Sequence, residues 1–399
     1  MEHFFLARQA IYDRALNVFA YELLFRNGNE QSAKFTDGNS ATSQVILNAF
    51  LDMGLDKIVG DKRAFINLTH DLLIHEDTRQ LPNDQVVLEI LEDVTPSEEV
   101  INAMRQLADD GFCVALDDFF HNESLQPMVE LADIIKIDIL NLTAHQIKDQ
   151  VECLKGEGRK LLAEKVETMD QYQLCRSLGF DFFQGYFVAH PHIIEGRRPP
   201  ANRLATLQLV TKLQNPEVEL NEIEALISTD LSLSYRVLKT INSSMYNLPS
   251  KVESIRTAVQ FLGLRQLKHL VTLIALANFD DKPNELIKLA LIRAKFSEEI
   301  SDALNSAYQD VSFTAGMFSM LEPLLDFPMA EIVKELPLSD ELIAALLNHE
   351  GDVGKVLQMV KNYEKGEWDQ LKLPEGTDIG SLYLSAVEWT DQSIEHLQA

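Results

Sequence analysis

The sequence predicts an α/β barrel followed by an all-α half. Three observations predict it. Strand-like and helix-like segments alternate over residues 1–195. The strand-like segments are apolar until they end in an acidic or amide side chain. Beyond residue 200, strand signals nearly vanish. Alternation of this kind argues for a parallel sheet with crossover helices. About eight strands in roughly 190 residues suit a compact, TIM-like (β/α) barrel, whose chemistry sits at the carboxyl ends of the strands. An open doubly wound sheet is the rival, but no glycine-rich phosphate turn follows an early strand.

The first two strands, 4–12 and 18–25, read as a hairpin around Asp13-Arg14-Ala15-Leu16-Asn17. Later strands are expected at 65–68, 86–90, 114–119, 134–138, 161–164 and 182–185. Together they bring Glu22, Asn67, Glu89, Asp117, Asp118, Glu164 and Gln184, while the strand at 134–138 supplies Lys136. A carboxylate at the end of a buried strand is costly unless something pairs with it. Repeating that cost around half a chain implies that the strand ends meet at one site. Divalent metal is the expected partner for so many carboxylates. Helices are expected at 41–53, 97–109, 124–131, 143–154 and 168–178.

The run Glu195-Gly196-Arg197-Arg198-Pro199-Pro200 marks a boundary. The expected division is a barrel over 1–195, a linker over 196–203 and a helical domain over 204–399. Helices are predicted there at 204–213, 219–228, 232–241, 255–262, 264–277, 284–305, 315–321, 329–335, 339–347, 352–364 and 378–397. Ser254 and Ser339 are placed to cap two of them.

The formal net charge is −27, from 62 acidic and 35 basic residues. Such a chain repels nucleic-acid backbones and anionic membranes, so neither is an expected partner. A small anionic ligand would need local cations, namely metals, Arg26 and Lys136. Cys113, Cys153 and Cys175 fit neither a zinc site nor a disulfide framework. No run of about 18 apolar residues is present, and Met1-Glu2-His3 lacks the basic region of a signal peptide. A cytoplasmic location is expected.

Seven blocks in order now carry a family resemblance. They are Glu22-Leu23-Leu24-Phe25-Arg26, Ile66-Asn67-Leu68, Leu88-Glu89-Ile90-Leu91-Glu92, Asp117-Asp118-Phe119, Ile135-Lys136-Ile137-Asp138, Ala163-Glu164-Lys165-Val166-Glu167 and Gln184-Gly185-Tyr186-Phe187. The first half resembles the EAL domain, the phosphodiesterase of cyclic di-GMP. The resemblance implies one divalent ion, Mg²⁺ or Mn²⁺, on Glu22, Asn67, Glu89 and Asp117. Asp117 would bridge to a second ion held with Asp118 and Glu164. Lys136 would position or activate the attacking water, and Glu164 would assist as base. Glu167 and Gln184 would support the site, and Gln9 and Arg26 would contact the dinucleotide. Two departures stand out. The family's glycine-rich loop is replaced by Phe119-Phe120-His121-Asn122-Glu123, and Lys165 replaces a glycine. Glu92, Asp138, His70-Asp71 and His121 read as structural or solvated.

The second half resembles the HDOD domain, a non-catalytic relative of metal phosphohydrolases. Ile227 to Ser234, Val237 to Ser244, Val252 to Ile255, Ala258 to Gly263 and Phe313 to Met317 carry that resemblance. No His-Asp pair occurs beyond residue 200, so no metal is expected there, and Asn242 is expected to bond backbone at a helix end. The leading expectation is two-metal hydrolysis of cyclic di-GMP to the linear dinucleotide, with the helical half as a regulatory platform for a protein partner. The alternative is a catalytically silent receptor or scaffold that binds cyclic di-GMP or proteins. The resemblance favours a homodimer through the barrel.

Overall fold

The structure is a computed structural model. It describes residues 4–27, 55–74, 76–118, 123–156, 158–189, 201–214, 218–228, 231–242, 252, 254–276, 282–371, 373–374 and 376–398. The chain divides into two compact units. One comprises Met1–His190 with Tyr363–Asp369, and the other comprises Pro191–Asn362 with Gln370–Ala399.

In the first unit eight strands close a barrel in chain order. They are β1 (Phe4–Tyr12), β2 (Val18–Asn27), β3 (Arg63–Leu68), β4 (Val86–Ile90), β5 (Cys113–Leu116), β6 (Ile134–Asp138), β7 (Lys160–Glu164) and β8 (Phe182–Gln184). Neighbours from β2 to β8 run parallel. By contrast, β1 is antiparallel to both β2 and β8. The reversal is local chemistry. Asp13 Oδ1 accepts from the backbone N–H groups of Ala15 and Asn17, and Leu16 takes a left-handed φ of 64°. That tight turn leaves no room for a crossover, so the first strand returns beside the second.

The barrel interior is a layer of Ile11, Ala20, Phe65, Val87, Ala115, Ile134 and Leu162. All seven are 2 % exposed or less. Around the barrel, helices start at side-chain caps. Ser97 accepts from Val100 N ahead of Glu98–Asp109. Thr143 and Thr168 form capping boxes with Gln146 and Gln171 at helices Ala144–Leu154 and Met169–Leu178. These satisfy donors that the first helical turn leaves open. The helix expected at 124–131 is shorter, Gln126–Val129 after a 3-10 turn. The helix expected at 41–53 lies outside the described residues.

The second unit is helical. The first helix is Ala201–Gln214, which begins inside the expected 196–203 linker. One core gathers Leu213, Ile223, Ile227, Val237, Ile241, Ile255, Leu267, Val271 and Ile274. Ser254 and Ser339 cap their helices as the sequence predicts. The helix expected at 315–321 is instead two, Gln309–Phe318 and Leu321–Leu325, broken at Ser319 and Met320. Gly316 explains the tight packing of the first of them. A Cβ there would collide with the Arg293 carbonyl on helix Asn284–Ala303. Among the described residues no helix is long and apolar enough to cross a membrane.

Candidate active site

Side chains in a strand alternate between its two faces, so the residue two places beyond an interior position also points inward. Two places on from Ala20, Phe65, Val87, Ala115, Ile134 and Leu162 stand Glu22, Asn67, Glu89, Asp117, Lys136 and Glu164. Two beyond Phe182 is Gln184. On the antiparallel β1 the step runs backwards, from Ile11 to Gln9, which pairs in register with Glu22. Each of the eight strands thus contributes one polar side chain to the same rim. Their convergence follows from period two and a closed barrel.

Lys136 stands at the centre, 1 % exposed. Its Nζ donates to Glu89, and lies 2.7 Å from Glu164 Oε1, 3.1 Å from Asp117 Oδ1 and 3.4 Å from Glu22 Oε2. Gln184 Nε2 donates to Glu22 Oε2 at 2.6 Å and to Gln9 Oε1 at 3.1 Å. Asn67 Nδ2 donates to Glu22 Oε1 at 3.4 Å. Gly185 holds the end of β8 against Val166. It takes φ 145°, and a Cβ there would drive into the Val166 carbonyl.

Burial and mutual repulsion push the Glu89 and Glu164 carboxyls well above the usual range, against the pull of Lys136. Burial also acts to raise Asp117, but Lys136, hydrogen bonding with Glu89 and the Asp118 backbone outweigh it, and its pKa falls. Burial would lower Lys136, yet Glu164, Glu22, Glu89 and Asp117 together hold it well above its ordinary value.

Two acid groups have ligand oxygens within 4.8 Å of one another: Glu22 with Glu89 and Glu164, and Asp117 with Asp118 and Glu164. Glu164 is common to both, whereas the resemblance assigned the bridge to Asp117. The donor set fits hard divalent cations. It is all oxygen, and Asn67 Oδ1 and Glu89 Oε2 are buried with no hydrogen-bond partner. Such buried acceptors are rare unless something binds them. These residues, with Glu22, Asp117, Asp118 and Glu164, are the ones that would hold metal.

A cavity of about 420 Å³ opens on this rim, lined among others by Gln9, Glu22, Asp117, Asp118, Glu164, Lys165 and Gln184. Glu167 is exposed and lines the same cavity, and its backbone N–H is bound by Gln171. Arg26 belongs to β2, but its side chain lies outside the described part of the structure. Residues 119–122, with His121, lie outside the described residues too. His70 and Asp71 are partly exposed on a short helix, 3.5 Å apart. Asp138 lies outside both acid groups, and its Oδ2 is 2.6 Å from Lys165 Nζ. No local signal could have shown this, because the partners sit 27 residues apart on neighbouring strands.

Fold and site define a two-part chain, an acid-rimmed (β/α) barrel with an all-helical unit. The chain matches the EAL domain over residues 39–191 and the HDOD domain over residues 200–337. The EAL match begins after β1 and β2, so Gln9 and Glu22 lie outside it, though both strands close the same barrel. The chain is 35 % identical to YuxH of Bacillus subtilis over 401 residues, covering 96 % of this chain and 97 % of YuxH. It is 34 % identical over 370 residues to the cyclic di-GMP phosphodiesterase CdgJ of Vibrio cholerae, covering 91 % of this chain and 85 % of CdgJ. Among solved structures it matches Klebsiella pneumoniae BlrP1 in a manganese/cy-diGMP complex, with TM-score 0.39 and 23 % identity over 47 % of this chain and 58 % of that one. The chain belongs to the family that joins an EAL domain to an HDOD domain.

Proposed function

We propose that this chain hydrolyses cyclic di-GMP to the linear dinucleotide at the acidic rim of its barrel, with Mg²⁺ or Mn²⁺ as cofactor. The observation that carries the reading is the pair of unpartnered buried oxygens, Asn67 Oδ1 and Glu89 Oε2, beside Glu22 and Glu164. Kinship with CdgJ, a phosphodiesterase by name, supplies the substrate. Bound there, divalent cations would supply the charge that acidifies water and polarises a phosphoryl oxygen.

The chain's own groups do the rest. Glu164 takes a proton from the attacking water as the water oxygen bonds to phosphorus and the P–O bond to the sugar oxygen breaks. That sugar oxygen leaves with a proton from solvent. Lys136, held by four carboxylates, keeps that water in line and offsets negative charge gathering at phosphorus. Gln184 fixes Glu22 and Gln9 together, and Gln9 and Arg26 contact the dinucleotide. Glu167 supports the rim from the mouth of the cavity. The HDOD half, without a His-Asp pair, serves as a platform for a protein partner.

The test is cyclic di-GMP turnover with Mn²⁺, compared with Glu22→Ala and Asp117→Asn. Turnover that both variants lower at least about 100-fold is expected. Binding without turnover at high enzyme would reject catalysis and leave a receptor. Neither binding nor turnover would leave a scaffold.

A further inference from the structure

Lys165 follows Glu164 at the end of β7 and adopts φ 53°, a conformation that L side chains rarely take. Asp118, across the rim, also has positive φ, at 40°. The two strained residues meet. Lys165 Nζ lies 3.4 Å from Asp118 Oδ2 and 2.6 Å from Asp138 Oδ2. Asp118 belongs to the acid group formed with Asp117 and Glu164. That group therefore carries a tethered cation on its outer side. The other group differs. The Lys136 ammonium meets acids of both groups, whereas the Lys165 ammonium pairs with Asp118, and the Glu22 group keeps unpartnered buried oxygens nearby on Asn67 and Glu89.

We infer that Lys165 makes the two cation positions unequal. Its ammonium takes up the charge of Asp118 and Asp138, so the position at Asp117 and Asp118 binds a divalent ion more weakly than the position at Glu22, Asn67 and Glu89. A divalent ion on Asp118 would face the amine a few ångströms away, and like charges at such range repel strongly inside a protein. This inference rests on the metal-dependent reading above. It makes Lys165 a positioning residue, which sets the cation concentration at which the site fills.

The experiment counts Mn²⁺ bound to the full chain, from the signal of the free aquo ion in electron paramagnetic resonance. Wild type is expected to bind one ion tightly and a second at least about tenfold more weakly. Lys165→Gly relieves the strained backbone and removes the amine. Lys165→Met removes the amine alone. In both, the second ion should tighten at least about tenfold while the first is unchanged. Lys165→Arg, which keeps a cation, should leave the second ion weak. Two equal ions in wild type, or a second affinity that neither charge-removing variant changes, would overturn the inference and leave the catalytic reading standing. A wild-type chain that binds no Mn²⁺ would overturn both.

Discussion

The Lys136 ammonium lies 2.7 Å from the Glu164 carboxylate, at the ends of neighbouring strands β6 and β7. Both are buried, and Lys136 also meets Glu22, Glu89 and Asp117. Removing one partner of a buried charge network typically costs about 3–5 kcal/mol, because the remaining charge is left uncompensated. Lys136→Met in metal-free buffer should lose stability on that scale. Mn²⁺ should restore it, raising the melting temperature further in Lys136→Met than in wild type. Thermal melts of both proteins with EDTA and with Mn²⁺ check this. Equal metal responses would mean that the ammonium and the ion do not share the acidic ring.

Gly185 ties the end of β8 to the loop after β7. Val166 N donates to Gln184 O at 3.0 Å, and Phe187 N donates to Val166 O at 3.1 Å. The backbone passes so close that a methyl group has no place, and φ 145° adds strain for any L residue. Gly185→Ala should destabilise the barrel by about 2–4 kcal/mol. It should also displace Gln184, which bridges Glu22 and Gln9. The denaturation midpoint should fall, and cyclic di-GMP turnover should fall with it even where the protein remains folded.

Much of this site was legible because its logic is periodic. Apolar strands ending in Glu22, Asn67, Glu89, Asp117, Lys136, Glu164 and Gln184 announce a rim, and period two does the aiming. What stayed hidden depends on register across the barrel. The contact of Lys165 with Asp118 and Asp138 joins three strand ends, and no local pattern encodes that meeting. The split of 315–321 into two helices was hidden for a similar reason. The break at Ser319 and Met320 falls between helices Gln309–Phe318 and Leu321–Leu325, inside a mostly apolar stretch that was read as one helix. The capping boxes at Thr143 and Thr168 rest on Thr-x-x-Gln, a local signal, and were not predicted.

In the helical unit, Asn242 acts as a staple. Its Nδ2 donates to Leu238 O and Val252 O, both at 2.8 Å, and its Oδ1 accepts from Val252 N at 2.7 Å. The side chain thus closes the end of helix Leu231–Ile241 and fixes Val252, which is 2 % exposed. Asn242→Ala leaves the Val252 peptide groups without these partners. A loss of about 1–3 kcal/mol follows. Chemical denaturation of the variant should show it, with Mn²⁺ binding to the barrel unchanged.

His269 gives the helical unit a dependence on acid. Its ring is 4 % exposed and stacks on Phe313 at 4.0 Å, with Trp389 at its edge. Burial lowers its pKa from 6.5 to about 4, although Glu298 lies 3.5 Å away. Glu298 pulls the other way, but the nearby Lys295 and Arg265 cations, which pair with Glu298, oppose it, and Asp310 beside Arg265 adds a smaller upward pull. The unfolded chain therefore binds the proton more readily than the folded one between these two values. Stability from His269 is fully present above pH 6.5 and is lost as pH falls toward 4. The loss is about 2 kcal/mol at pH 5 and about 3 kcal/mol in full. His269→Gln should flatten that part of the stability curve while costing little more at pH 7 than its lost ring packing. Urea unfolding followed by Trp389 fluorescence in a Trp368→Phe background measures it at pH 7, 6 and 5. Parallel pH slopes in the two proteins would show that the imidazole is not the group that titrates.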